Sequence, residues 1–317
     1  MEIPKKLAFY YGWPISAGDG TYDGAVNAFA DYDMVVIAGS LAFPSHGNHE
    51  LTKKILNDSR VNHVDFYGYV NTSDNYQDLI DHIQAWKVMN EENGRLVGIF
   101  CDRFGFDYPL YNLEDVEQKD SSGQVVKVNR AHQNFLVREI HLQGFKAFVN
   151  AWMQDDVFGD EPSTGRKHNL NPDDWSLLES YQINTGEYVP EKTWRKKMEV
   201  VNKYRGQANF AATTTTANNY DNQDGAIETE FDQKKFNYAY VSSIVDNLQA
   251  FSYAKDMFGA KTPLTPFRER PTQINPSGNS SIDNVVFSQD NGVYRLGGSS
   301  FVGASVNTRT HEVSLTM

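Results

Sequence analysis

The sequence predicts an α/β protein: a (β/α)8 barrel followed by a small C-terminal β-rich extension. Short runs of β-branched and aromatic residues alternate with helical patterns up to about residue 255. The runs MVVIAGSL and LVGIFC are almost continuously apolar, as expected for parallel strands buried on both faces. The chain has 317 residues, which leaves room for a barrel of about 250 residues and an appendage.

The predicted strands and helices follow one another in the order that a barrel requires. The strands are 7–13, 34–41, 61–71, 95–101, 145–152, 175–181, 207–216 and 250–253. The helices are 25–32, 49–57, 75–90, 130–143, 190–204 and 231–248, and a polar loop is expected at 104–128. The helix at 75–90 has the clearest pattern, with apolar residues three and four apart, and Asp74 is its predicted N-cap.

An open doubly wound sheet is the alternative arrangement of these elements. No GxGxxG motif follows the first strand, so a dinucleotide-binding version of that fold loses support. From Thr262 the composition shifts to Pro, Ser and Asn, which predicts a linker or an extended segment, and three or four short β-type segments follow it. We therefore assign residues 1–258 to the barrel and 259–317 to the linker and the β-rich extension.

Composition excludes several classes of protein. The chain has 29 Lys and Arg against 41 Asp and Glu, and its net charge of −12 argues against binding to nucleic acid or to anionic membranes. The single cysteine, Cys101, excludes an intramolecular disulfide and a cysteine-built zinc site. Neither a signal peptide nor a membrane-spanning segment is visible in the sequence. We expect synthesis in the cytoplasm, with lysis or incorporation into a virion as routes out of the cell.

Three polar residues interrupt or end strands that are otherwise apolar. Asp102 directly follows LVGIFC, Asn150 lies in FKAFVNAW, and Glu179 lies in WSLLESY. In a barrel, side chains at the carboxyl ends of the strands build the active site. A buried charge is costly unless it is paired or lies at the mouth of a site. The structural alternatives are a salt bridge from Arg103 to Asp102, an ion pair at Glu179 and a hydrogen-bonded buried amide at Asn150.

Two carboxylates beside an aromatic cleft meet the requirement for glycosidic-bond hydrolysis. One protonates the leaving oxygen, and the other attacks the anomeric carbon or activates water. The residues leave open which of Asp102 and Glu179 takes which role. The candidate sugar-binding residues at the strand ends are Tyr11, Trp13, Tyr69, Asn150, Trp152, Tyr181 and Tyr253. We expect neither a cofactor nor a metal ion, because His46 and His49 lack a clear third ligand.

Several motifs occur in an order that resembles a known family. They are FYGYVNT, QAWKVM, VGIFCDRFGFDY, FKAFVNAW and LLESY, and the similarity spans about residues 5–255. This order resembles the spherulin-4-like proteins and the wider endo-polygalactosaminidase group, which include TIM-barrel glycoside hydrolases. The resemblance implies that Asp102 and Glu179 are catalytic, that Asn150 binds substrate and that Tyr69 borders the cleft. It also implies a substrate that contains α-linked galactosamine.

The sequence departs from the family pattern at two places. Arg103 stands where the family often has a second acid, and its charge would repel a cationic galactosamine unit. The segment NAWMQDD lacks the NPG-like turn that is common in the family.

Two interpretations from different functional classes follow from the sequence. The leading one is a glycoside hydrolase that cleaves a polysaccharide or oligosaccharide. The alternative is an inactive glycan-binding or structural module of a phage tail or virion, whose C-terminal extension contacts virion partners or further copies of the chain. A salt bridge that occupies Asp102, or a C-terminal segment that covers the cleft, would favour the alternative. A third interpretation, a metal-dependent barrel hydrolase, needs a ligand cluster that the sequence does not display.

Overall fold

The computed structural model describes residues 3–90, 94–112, 114–216, 232–253, 273–274, 288–290, 292–298 and 301–316. Up to residue 253 its strands are β1 (Lys5–Tyr10), β2 (Met34–Ile37), β3 (Asp65–Asn71), β4 (Leu96–Asp102), β5 (Lys146–Asn150), β6 (Trp175–Leu178), β7 (Ile183–Asn184), β8 (Glu187–Tyr188), β9 (Asn209–Thr213) and β10 (Ala250–Ser252). A closed parallel barrel runs β1–β2–β3–β4–β5–β6–β9–β10, and β7 and β8 form a separate hairpin. The predicted (β/α)8 barrel is confirmed.

The helices lie between the barrel strands, near their predicted positions. They are α1 (Tyr22–Ala30), α2 (His49–Leu56), α3 (Tyr76–Asn90), α4 (Arg130–Leu142), α5 (Gln154–Phe158), α6 (Glu191–Lys203) and α7 (Gln233–Val245). The short helix α5 was not predicted from the sequence. The predicted N-cap of α3 is wrong, because Asn75 rather than Asp74 accepts the backbone N–H groups of Gln77 and Asp78.

Alternation along the strands divides the barrel's apolar side chains into two layers. The inner layer consists of Leu7, Phe9, Met34, Val36, Tyr67, Phe100, Phe148, Trp175, Leu177, Ala211 and Ala250. At its centre Phe100 meets Phe9 and Phe148 edge to face, with ring centroids 5.3 and 5.1 Å apart. The outer layer packs against the helices. The barrel interior is therefore filled, and a ligand site must lie beyond it.

The contact between β3 and α3 requires a glycine in the strand. The Trp86 ring of α3 is fully buried, and a Cβ atom at Gly68 would lie 2.3 Å from it. The indole Nε1 donates to the Tyr69 carbonyl oxygen at 3.2 Å. This close approach holds α3 against the strand that carries Tyr69.

The C-terminal extension is a five-stranded antiparallel sheet. Its strands are β11 (Gln273–Ile274), β12 (Ser288–Asp290), β13 (Val293–Gly298), β14 (Phe301–Asn307) and β15 (Val313–Thr316), in the order β11–β15–β14–β13–β12. The sheet packs against α6 and α7: the hydroxyls of Tyr294 and Thr308 donate to the Glu191 carboxylate at 2.8 and 2.9 Å. The linker and the predicted boundary after residue 258 lie outside the described residues. Within the described residues, no helix combines the length and the apolar character needed to cross a membrane.

Candidate active site

A polar layer lies at the carboxyl end of the barrel, directly beyond the filled interior. It consists of Tyr11, Tyr69, Asp102, Asn150 and Glu179. Each lies two residues beyond a member of the inner layer on its own strand, as the alternation of side chains requires. Five residues that the sequence singled out are thus brought together.

Asn150 joins the two carboxylates. Its Nδ2 atom donates to Asp102 Oδ1 and to Glu179 Oε2, both at 3.0 Å. An amide nitrogen carries two hydrogens, so one is available for each carboxylate. Because both oxygens contact the same nitrogen, they lie no farther apart than twice that distance. Asn150 is only 6% exposed, so its amide is held firmly and fixes the spacing of the pair.

Asp102 is held by a second donor. The Tyr69 hydroxyl donates to Asp102 Oδ2 at 3.0 Å, and the Tyr11 ring packs edge to face on Tyr69 with centroids 5.6 Å apart. Burial, followed by the charge of Asp102, raises the pKa of both tyrosines well above the usual range, so both phenols keep their protons. Among the described residues, no ion pair joins Asp102 to Arg103, whose side chain is exposed. The salt bridge to Arg103 that would have favoured a structural role for Asp102 is therefore not formed.

Glu179 has a different environment from Asp102. Its side chain is half-buried, and this burial raises the pKa of the Glu179 carboxyl. The charge of Asp102 also raises that pKa, whereas the Asn150 hydrogen bond and the charge of Lys197 lower it. Since the net shift is upward, Glu179 favours its protonated form more than an exposed glutamate does. This is the environment of a proton donor.

The chain turns sharply just after each carboxylate. Arg103 and Ser180 adopt left-handed backbone conformations, with φ of 55° and 54°. Residues other than glycine rarely adopt this conformation, and where they do the position is often functional. The Phe104 N–H then donates to the Asn150 carbonyl oxygen at 2.8 Å, which ties the turn after Asp102 to β5.

Two of the predicted sugar-binding residues, Tyr181 and Tyr253, do not lie in the polar layer with the carboxylates, which corrects those two predictions. Tyr181 is 0% exposed, and its hydroxyl donates to Asp246 Oδ2 at 2.6 Å. The left-handed Ser180 interrupts the alternation that would have directed Tyr181 into the site. Tyr253 is half-buried and packs against the outer layer, edge to face on Phe236 of α7 with ring centroids 5.4 Å apart. Both tyrosines have structural roles in packing around the barrel.

The two predicted tryptophans are exposed at the carboxyl end of the barrel. Trp13 follows β1 and is 64% exposed, and Trp152 follows β5 and is 60% exposed. The Lys197 ammonium lies 5.9 Å from the centroid of the Trp152 ring. Exposed rings of this size suit stacking on sugars, and the sugar-binding role of both tryptophans stays a prediction.

Sequence reasoning missed two residues near the carboxylates. The pKa of Tyr108 is raised by burial and then by the charges of Asp102 and Glu179, which places it near both. Tyr108 belongs to the polar loop after β4, where strand alternation gives no signal. Lys197 of α6 donates to the Glu179 carbonyl oxygen at 2.8 Å. In the sequence it is one of several lysines on an amphipathic helix, so nothing distinguishes it.

The part of the chain that the structure describes contains no group of three or more His, Cys, Asp or Glu side chains arranged to hold a metal ion. Cys101 is buried and free.

Comparison with solved structures shows the fold. The chain is similar to a glycoside hydrolase family 5 protein from Bacteroides vulgatus, with a TM-score of 0.50 and 10% identity over 95% of this chain and 76% of that one. An endocellulase from Pyrococcus horikoshii has a TM-score of 0.48, with 8% identity over 80% of this chain and 86% of that one. No protein-family model and no curated protein matches the chain. The spherulin-4-like resemblance therefore stays a prediction.

Proposed function

We propose that the protein is a glycoside hydrolase that cleaves a polysaccharide with Asp102 and Glu179. The observation that supports this most directly is the Asn150 amide, which lies 3.0 Å from an oxygen of each carboxylate. The pair lies at the carboxyl end of a filled barrel, which is where enzymes of this fold have their catalytic groups. The similarity to a solved glycoside hydrolase is in line with the proposal.

The environments of the two carboxylates suggest separate roles. Glu179, whose pKa is raised mainly by burial, gives its proton to the glycosidic oxygen as the bond to the anomeric carbon breaks. Asp102, held by Tyr69 and Asn150, attacks the anomeric carbon and forms a covalent glycosyl ester. Glu179 then takes a proton from water, the water oxygen bonds to the anomeric carbon, and Asp102 is released.

The spacing of the carboxylates favours retention of the anomeric configuration. Inverting enzymes leave room for a water molecule, with carboxyl groups about 6.5–9.5 Å apart, whereas retaining enzymes hold them about 5–5.5 Å apart. Here an oxygen of each carboxylate lies 3.0 Å from the same nitrogen, so these two oxygens are at most about 6 Å apart, which is nearer to the retaining than to the inverting spacing. We propose a retaining mechanism on this basis.

The substrate class follows from the aromatic residues and from the family resemblance. Trp13 and Trp152 present exposed rings for stacking on sugars, and the resemblance suggests a polymer that contains α-linked galactosamine. A bacterial surface glycan is the other candidate. The exposed Arg103, next to Asp102, favours N-acetylated over cationic galactosamine units.

The test is release of reducing ends from galactosamine polymers and bacterial capsules by the wild type, Asp102→Asn and Glu179→Gln. Each variant should lose about 100-fold or more of the activity while remaining folded, since acid–base catalysis alone contributes about that factor. Asp173→Asn is a control, because Asp173 is an exposed acid in the loop before β6. NMR of the first-formed anomer tests retention. Binding of a glycan by the wild type and both variants alike, without release, would favour the virion-module alternative.

A further inference from the structure

Lys197 reaches from α6 to the backbone of a proposed catalytic residue. Its ammonium donates to the Glu179 carbonyl oxygen at 2.8 Å and lies 5.9 Å from the Trp152 ring centroid. This single hydrogen bond leaves two of its three donor hydrogens without a protein acceptor in the described part of the chain. No carboxylate among the described residues forms an ion pair with it.

The Lys197 side chain is partly buried, so its ammonium is partly removed from water. Burial lowers the pKa of Lys197 to about 8, and the charge of Glu179 opposes that shift. A desolvated ammonium without an ion pair costs free energy of folding. The other lysines of α6 avoid this cost at exposed positions, Lys192 and Lys196 among them. A residue with these properties beside a cleft is a candidate for function.

The titratable groups near Glu179 come from several elements. Asp102 lies at the end of β4, Tyr11 follows β1, Tyr108 lies in the loop after β4, and Lys197 lies on α6. Both tyrosines remain neutral because their pKa values are raised. The two charges that shift the pKa of the Glu179 carboxyl are the negative Asp102, which raises it, and the positive Lys197, which lowers it.

We propose that Lys197 is a positioning residue that fixes the backbone of Glu179 and offsets the effect of the Asp102 charge on the Glu179 carboxyl. After Glu179 gives up its proton, the positive charge of Lys197 stabilises the carboxylate that forms. The hydrogen bond also holds the peptide just before the left-handed Ser180, where the chain leaves β6. The contribution of Lys197 to catalysis rests on the proposed function, whereas its electrostatic effect on the Glu179 carboxyl does not.

The test is an NMR titration of the Glu179 side-chain carboxyl in the full chain, which needs no glycan. Its signal is assigned by its loss in Glu179→Gln. Lys197→Met should raise the titration midpoint of Glu179 by about one pH unit, because an opposite charge nearby shifts a carboxyl by about 1–3 units. Lys197→Arg keeps the charge and should leave the midpoint within a few tenths of the wild-type value. Lys196→Met, on the exposed face of the same helix, should leave it unchanged.

An unchanged Glu179 midpoint in folded Lys197→Met would overturn the proposal, whether or not a substrate is known. With a cleaved glycan in hand, Lys197→Met should also move the alkaline limb of kcat/KM to higher pH. A merely structural role would lower the folded fraction and leave that limb in place. If the titration behaves as expected but no glycan is cleaved by any form, the proposed function fails and the electrostatic role stands.

Discussion

Asp246 is a buried carboxyl whose ionisation should weaken the fold. It follows α7, is 5% exposed, and accepts hydrogen bonds on Oδ2 from Tyr181 at 2.6 Å and from Trp194 at 2.7 Å. Burial raises its pKa from 3.8 to about 7, although both hydrogen bonds and the charge of Arg205 oppose this shift. The folded protein therefore holds a proton on Asp246 over a pH range in which the unfolded chain has released it.

The linkage between proton binding and folding gives the size of this change in stability. Because the folded state binds the extra proton, the stability that Asp246 contributes is complete below the unfolded pKa and is lost as pH rises towards about 7. Each unit of pKa difference is worth about 1.4 kcal/mol, so a shift of about three units corresponds to about 4 kcal/mol. Asp246→Asn cannot ionise, and its amide oxygen can still accept both hydrogen bonds. The variant should therefore gain about 4 kcal/mol relative to the wild type between pH 4 and pH 8.

Urea unfolding followed by circular dichroism at several pH values from 4 to 8 measures this difference directly. Asp173→Asn removes an exposed acid and should track the wild type at every pH. If the stability difference between Asp246→Asn and the wild type stays constant across this range, Asp246 does not titrate as described. The reasoning from its burial would then be refuted.

Three further predictions concern packing, the extension and the cleft. Gly68→Ala would place a Cβ 2.3 Å from the Trp86 ring and should cost about 1–3 kcal/mol in urea unfolding. Glu191→Ala removes the acceptor of the Tyr294 hydroxyl and should speed amide hydrogen exchange in β13 and β14 roughly tenfold, with the barrel strands unaffected. Trp152→Ala removes an exposed ring and should weaken glycan binding roughly three- to tenfold in calorimetry, with stability unchanged within about 0.5 kcal/mol.

Each of these predictions has an outcome that contradicts it. Wild-type stability of Gly68→Ala would mean that α3 shifts without cost. Equal exchange rates in Glu191→Ala would mean that the sheet is held by other contacts. For Trp152→Ala, the matched control is Met153→Ala at the exposed neighbouring position, and equal binding losses in both variants would argue against stacking on the ring.

The sequence was most informative where a polar residue interrupts or ends an apolar run. The run LVGIFC predicted a buried strand and placed Asp102 at its carboxyl end, and β4 ends at that residue. The sequence also placed Asn150 in the fifth predicted strand and Glu179 in the sixth, where each interrupts an apolar run. The carboxyl ends of all the parallel strands lie at the same end of a barrel. Three residues that are far apart in the sequence could therefore be expected to lie close together there.

The same reasoning fails where a strand ends and the backbone turns. Alternation predicts that Tyr181 faces the same way as Glu179, but the positive φ of Ser180 reverses its direction, and a serine gives no sign of this in the sequence. Lys197 could not be predicted, because its reach to Glu179 depends on how α6 packs against the barrel. The position of Tyr108 near the carboxylates depends on the path of a loop, and a loop has no sequence periodicity from which that path could be predicted.

The left-handed backbone conformation of Arg103 and Ser180, just after the two carboxylates, affects how the protein could be stabilised by engineering. A non-glycine residue in this conformation loses roughly 1–2 kcal/mol relative to an unstrained one, so Arg103 and Ser180 make the site a local weak point of an otherwise well-packed barrel. Glycine at either position would relieve that strain but would also let the adjoining carboxylate turn more freely. Thermal stability and alignment of the two proposed catalytic carboxylates therefore oppose each other at these two positions, and we expect selection for thermal stability alone to replace Arg103 or Ser180 first.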